Sequence, residues 1–414
     1  MPYSTILALT NLIIFGIFSP LSGQQKQTSP IEPEDYGKWE SIVSGELSPT
    51  GQWLAVQVSR VNEKNELQIH RLKDGKVITV KSASNPTFSK DGEWIAYTLE
   101  ATEEGDSSAS HKEVGYTHLS TGKSKIISDI QSFSFSGRTA HLLAKRYPVG
   151  EDDSFSTVIV QNLSEETAVT FADVTESSWQ ASGDLLAFAT EGGGVTNSVQ
   201  LYDPELGVLN TLDTSTWQYS GLQWRDGSED LAFFRSMTHD SLPYAKQTMV
   251  VCTQLDTNSN CNGLDQSPIA EISAEYEIVS YRPITWSEDG SSVFFGVKPS
   301  SEMNLVSTDD TVSKPDFEKV EVEIWNSFDR RVIPEQKRDS LEDRQRTDLA
   351  VWHLDENLFI VLTDQSLENP RVHARGKIVT ATDQSAFAFS SMFGRPKEDV
   401  HVIDPSSGKR LTTV

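Results

Sequence analysis

The chain holds two cysteines, Cys252 and Cys261, in the stretch "CTQLDTNSNC". That spacing suits a disulfide across the tip of a hairpin in an exported protein, with two free thiols as the alternative. No histidine is placed beside either one, so a thiolate nucleophile is not indicated. The eight histidines are His70, His111, His118, His141, His239, His353, His373 and His401. They show neither His-Glu-x-x-His nor Cys-x-x-Cys spacing, so no metal site is read.

Other stretches mimic a site and then fail a test. Oxygen-bearing residues alternate at Asp256, Asn258, Asn260 and Asn262 as in a calcium loop, but Cys261 stands where such a loop needs glycine and Ser267 where it needs glutamate. A polar hairpin tip is the better reading. The run "GGG" at 192–194 is not followed by Lys-Ser/Thr, so it is a turn and not a phosphate cradle. Glu103 and Glu104 have the form of a carboxylate pair for an amino terminus, yet they lie in a Ser-rich acidic stretch that reads as a solvated loop. No Gly-x-Ser-x-Gly elbow occurs, and "FSFSGR" at 133–138 lacks the first glycine. No catalytic residue and no cofactor are therefore read.

What the sequence does spell out is a framework. "LSPTGQWLAV" at 47–56 and "FSKDGEWIAY" at 88–97 share one pattern: an apolar residue, Ser, a turn with Gly, then a short apolar run. It recurs around Gly51, Gly92, Gly137, Gly183, Gly227 and Gly290 at intervals of 41, 45, 46, 44 and 63 residues. A further copy is expected at "TDQSAFAF", residues 382–389, with Gln384 in place of the glycine and one degenerate unit before it. A second set of turns follows later in the units, at "LKDGK" 72–76, "LSTGK" 119–123, "YDPELG" 202–207 and "IDPSSGK" 403–409.

Periods of this length made of strands and turns predict an all-β chain, a β-propeller of about seven or eight four-stranded blades. One small sheet cannot bury both faces alone, so blades must stack on one another. Gly accepts φ > 0 in the first set of turns, which join the two inner strands; the second set joins the outer pair. The ring is either closed, with "WESIVSGE" at 39–46 pairing into the last blade, or incomplete and open.

The net charge is −25, which speaks against nucleic acid as a partner and favours solubility or cationic ligands. The apolar segment Ile6–Phe18 with Ser19-Pro20-Leu21-Ser22-Gly23 after it predicts a signal peptide over 1–23, with an uncleaved membrane anchor as the alternative. Residues 24–38 read as a polar leader and 39–414 as the propeller. The expected location is periplasmic or extracellular.

The units, with the later "DPSSGK" turn, resemble the propeller repeats of the prolyl oligopeptidase family of serine peptidases and of the propeller in the periplasmic Tol system. Residues 320–365, with Trp325, Asp329 and Gln336 ahead of a charged helical turn and Trp352 in the next strand, are similar to a stretch in large exported bacterial members. The resemblance implies a propeller that caps an α/β-hydrolase domain and gates access of peptides to it. That hydrolase, with its Ser, Asp and His, is not found in these residues, so no catalytic position carries over and the chain alone is expected to be inactive. The alternative is a stand-alone exported propeller that binds a protein or peptide on one face.

Overall fold

The computed structural model describes residues 32–414 except 63, 101–110, 149–155, 193–195, 238–244, 256–259, 265–274, 304–330, 388–389, 391–393 and 396. Its strands form seven antiparallel blades in chain order. Blade I holds β1 (Glu40–Leu47), β2 (Trp53–Arg60), β3 (Glu66–Arg71) and β4 (Val77–Lys81). Blade II holds β5 (Ala83–Phe88), β6 (Trp94–Leu99), β7 (Glu113–His118) and β8 (Ser124–Ile127). Blade III holds β9 (Ile130–Phe135), β10 (His141–Arg146), β11 (Ser156–Asn162) and the first half of β12 (Thr167–Trp179).

The second half of β12 opens blade IV, followed by β13 (Leu186–Thr190), β14 (Asn197–Asp203) and β15 (Val208–Ser215). The strand changes partner at Val174, which faces Ser156 of β11 and Thr190 of β13. Blade V holds β16 (Gln218–Trp224), β17 (Leu231–Met237), β18 (Lys246–Thr253) and β19 (Asn260–Gly263). In blade VI the inner strand comes in two pieces, β20 (Tyr276–Val279) and β21 (Thr285–Trp286), before β22 (Ser292–Pro299), β23 (Asp348–His353) and β24 (Leu358–Val361). Blade VII holds β25 (Glu368–His373), β26 (Ile378–Asp383), β27 (Asp399–Ile403) and β28 (Arg410–Thr413).

Three expectations need correction. Gln384 lies between β26 and β27, not in an inner turn. The inner turn of blade VII is Ala374–Gly376, where Arg375 (φ 57°) and Gly376 (φ 97°) turn the chain without the Ser-x-Asp-Gly pattern. No eighth unit is seen among the described residues: the space assigned to it is the connection from β22 to β23, whose described parts include the short helices α1 (Ser300–Met303), α2 (Ile333–Arg338) and α3 (Ser340–Gln345). And β1, the "WESIVSGE" strand, pairs with β2 as the inner strand of its own blade. Blade VII takes all four strands from its own stretch of chain.

The recurring grammar of the inner turns has a direct chemical basis. The backbone N–H of Ser48, Ser89, Ser136, Gln180, Arg225 and Ser287 donates to the carbonyl five residues on, at 2.9–3.0 Å. Where the first residue is Ser48, Ser89 or Ser287, its buried Oγ also accepts the N–H of Trp53, Trp94 or Ser292, each at 3.0 Å. Both strands are thus tied at the point where they diverge, with few backbone groups left unpaired. Gly51, Gly92, Gly227 and Gly290 have φ between 67° and 76°, as expected for the turn. Gly137 and Gly183 do not; glycine is needed there for space, since a Cβ on Gly137 would meet the carbonyl oxygens of Gln180 and Ala181 at 2.5 Å.

Between blades the chain kinks at polar residues in the left-handed region, Ser82 (φ 53°), Asp129 (φ 65°) and Asp173 (φ 57°). Each is followed by a buried apolar residue, Ala83, Ile130 or Val174, that starts the next inner strand. Six hydrophobic clusters then glue neighbours together, from blades I and II through to blades VI and VII. Among the described residues no such cluster joins blade VII to blade I. The repeat position before the turn shows the difference: Phe88 is 5% exposed and Trp224 4%, whereas Leu47 of blade I is 56% exposed. The structure is therefore an open propeller.

Half-buried Trp94 packs edge-on against His118, with ring centroids 4.7 Å apart, and against the cluster between blades II and III. Trp94→Ala is expected to cost about 2 kcal/mol in a urea titration, less than for a fully buried aromatic. An unchanged midpoint would contradict this packing.

Candidate functional site

Histidines and hydroxyls do meet in this structure, but as structural ties. His353 Nδ1 lies 2.8 Å from Ser292 Oγ, and its Nε2 lies 3.1 Å from the Pro405 carbonyl oxygen. Ser292 is buried and opposes His353 across β22 and β23, so its hydroxyl is not presented to a substrate. Similar pairs are Thr139 with His141 (2.8 Å), His373 with Thr380 (2.8 Å) and His401 with Thr413 (2.9 Å). Burial pushes the His141 imidazole below its ordinary value. Among the described residues no three His, Cys, Asp or Glu side chains gather as a metal site.

Cys252 and Cys261 oppose each other on β18 and β19 and are joined by a disulfide of 2.01 Å. Asn260 and Asn262 of the calcium-like stretch lie in β19, while 256–259 and Asp265 lie outside the described residues. So do Glu103, Glu104, Gly193, Gly194, His239, Trp325, Asp329 and the segment Ile6–Phe18. Gln336 is in α2 and donates to the Arg331 carbonyl (2.6 Å); Trp352 is buried in β23, with Nε1 donating to Asn357 (3.0 Å). No helix among the described residues is long and apolar enough to cross a membrane.

Two of the cavities among the described residues border blade VI. The larger, about 740 Å³, lies between blades V and VI at the end that carries the glycine turns. Its walls include Arg225, Asp230, Asn260, Asn262, Asp289 and Asn357. Most charges there are internally used: Arg225 pairs with Asp230 at 2.6 Å and donates to the Glu288 carbonyl at 3.0 Å. Hydrogen bonds from Ser287 and Ser291 hold the Asp289 carboxyl down at about 2. This cleft offers amides, carbonyls and the exposed Asp355 carboxylate to a polar ligand.

The smaller cavity, about 210 Å³, lies at the other end of blade VI, lined by the end of β22, α1, α3, the start of β23 and Gln365. Lys298 and Asp348 are both buried in its wall. Nearby, Arg282 bridges blades VI and VII, donating to Thr347 Oγ1 (3.2 Å) and to the Pro370 carbonyl (3.1 Å). Sequence reasoning missed this cluster, because Lys298 and Asp348 lie on the two strands that flank a long insertion.

The seven blades and the six cores between them define an all-β propeller. Among solved structures the chain is similar to the β-propeller domain of the trilobed protease of Pyrococcus furiosus, at 12% identity and a TM-score of 0.35, covering 89% of this chain and 94% of that one. It is also similar to dipeptidyl peptidase 4 of Porphyromonas gingivalis, at 10% identity and a TM-score of 0.43, covering 94% of this chain and 53% of that one. A third is the tricorn protease, at 11% identity and a TM-score of 0.38, covering 91% and 35%. This chain thus spans about half the dipeptidyl peptidase and about a third of the tricorn protease. The likeness is one of fold. No protein-family model and no curated protein matches the chain.

Proposed function

We propose that this chain is the propeller portion of an exported prolyl oligopeptidase-type serine peptidase, where it gates access of peptides to a hydrolase domain. The observation that carries the reading is the unsealed ring. Six cores hold seven blades in series, and Leu47 and Ile42 of β1 are 56% and 74% exposed where every later inner strand meets a preceding blade. A ring with no seventh core among its described residues widens by small rotations at the existing interfaces, so it excludes folded proteins while admitting extended chains. The net charge of −25 favours cationic peptide ends. The motif resemblance in the repeats and in residues 320–365 supports the same affiliation.

The test is the mass of the native polypeptide in its source cells, followed with an antibody to the propeller and a fluorophosphonate probe. A labelled species far heavier than 45.9 kDa is expected. An unlabelled species at or just below that mass would overturn the gating reading and point to a stand-alone binding propeller.

A further inference from the structure

Two opposite charges share the wall of the 210 Å³ cavity without touching. Asp348 and Lys298 are each 6% exposed, yet no ion pair within 4.0 Å joins them. The Asp348 carboxylate makes no side-chain hydrogen bond or ion pair among the described residues, and neither does the carboxylate of half-buried Glu302 in the same wall. Lys298 gives one N–H to the Arg344 carbonyl at 2.5 Å and lies 5.8 Å from the centroid of the Tyr281 ring. Its other two donors meet no protein acceptor among the described residues.

The remaining charges around the cavity are already engaged. Arg346 bonds Glu368 and the carbonyls of Gln365 and Leu367, and Asp343 bonds Arg331. A buried carboxylate and a buried ammonium held apart are costly unless something with the reverse polarity lies between them. We propose that this cavity binds a small zwitterion the size of a free α-amino acid, its ammonium held by Asp348 and Glu302 and its carboxylate by Lys298. A divalent cation is disfavoured by the Lys298 ammonium in the same space, and a phosphate by the two carboxylates. A neutral sugar would leave both charges uncompensated. The site belongs to the propeller itself, whatever the propeller is joined to.

The experiment is calorimetric titration of the full chain at pH 7.5 with glycine and with alanine, alongside acetate and methylammonium as half-ligands. Saturable binding of an amino acid is expected, with each half-ligand at least about tenfold weaker. Asp348→Asn and Lys298→Met, each checked for native circular dichroism, should each weaken it about tenfold or more. The wild-type chain supplies a readout independent of both variants: affinity should fall as pH drops below about 6, where Asp348 takes up a proton. Absence of saturable binding by the folded chain, equal binding to Asp348→Asn, or acetate binding as tightly as glycine would each overturn the proposal.

Discussion

Phe294→Ala is expected to release blade VII while blades I to V stay protected from hydrogen exchange. Phe294 is 1% exposed and sits in the cluster with Leu349, Val351, Leu367, Val379, Ala381 and Ile403 that joins blade VI to blade VII. Truncating a buried Phe costs about 3–5 kcal/mol through lost transfer energy and an unfilled cavity. Blades II to VI are each gripped by two of the clusters, whereas blade VII has this one. A chain of nearest-neighbour interfaces lets an end unit detach at the cost of a single interface. The β26 and β27 amides should therefore exchange much faster in the variant, with β6 and β7 little changed. A uniform loss of protection across all blades would show that the blades unfold as one unit and that this account of blade VII is wrong.

The second large effect concerns acidity. Burial pushes the Asp348 carboxyl from its ordinary 3.8 up to about 6, reinforced by the neighbouring Asp364 and Glu302 and opposed by Arg346 and Lys298. Burial likewise lowers the Lys298 ammonium. Because the folded chain holds the Asp348 proton more tightly than the unfolded chain, stability from this group falls as pH rises from about 4 to about 6 and stays low above that. The shift corresponds to about 3 kcal/mol of penalty at pH 8. Asp348→Asn removes the charge and keeps the shape, so it should stabilise the empty protein by up to about 2–3 kcal/mol at pH 8 and by almost nothing at pH 4. Parallel urea titrations of both proteins at the two pH values check this. An equal difference at both would mean that ionisation of Asp348 carries no cost.

The repeats were legible because their chemistry is local. Ser89, Asp91, Gly92 and Trp94 meet within one turn, so the same short words recur wherever an inner hairpin is built. Six of the seven inner turns could be read that way. Blade VII escaped because Arg375 and Gly376 turn the chain without the serine. The kinks at Ser82, Asp129 and Asp173 escaped because ordinary polar residues adopt them with no signature beyond a following apolar residue. Lys298, Glu302 and Asp348 are unremarkable in sequence; only the pairing of Val297 with Asp348 across β22 and β23, closing the long insertion, brings them to one cavity.

The strand arrangement also bears on descent. Blades I, II, V, VI and VII are each drawn from one run of chain, and among the described residues no strand is lent across the ring. A gene coding for such a series gains or loses a unit by one tandem duplication or deletion, whereas a ring locked by a borrowed strand needs coordinated change at both ends. Blades III and IV are the exception, because β12 serves both. Cutting the chain between them would leave a torn sheet on each side, so those two blades form one structural module.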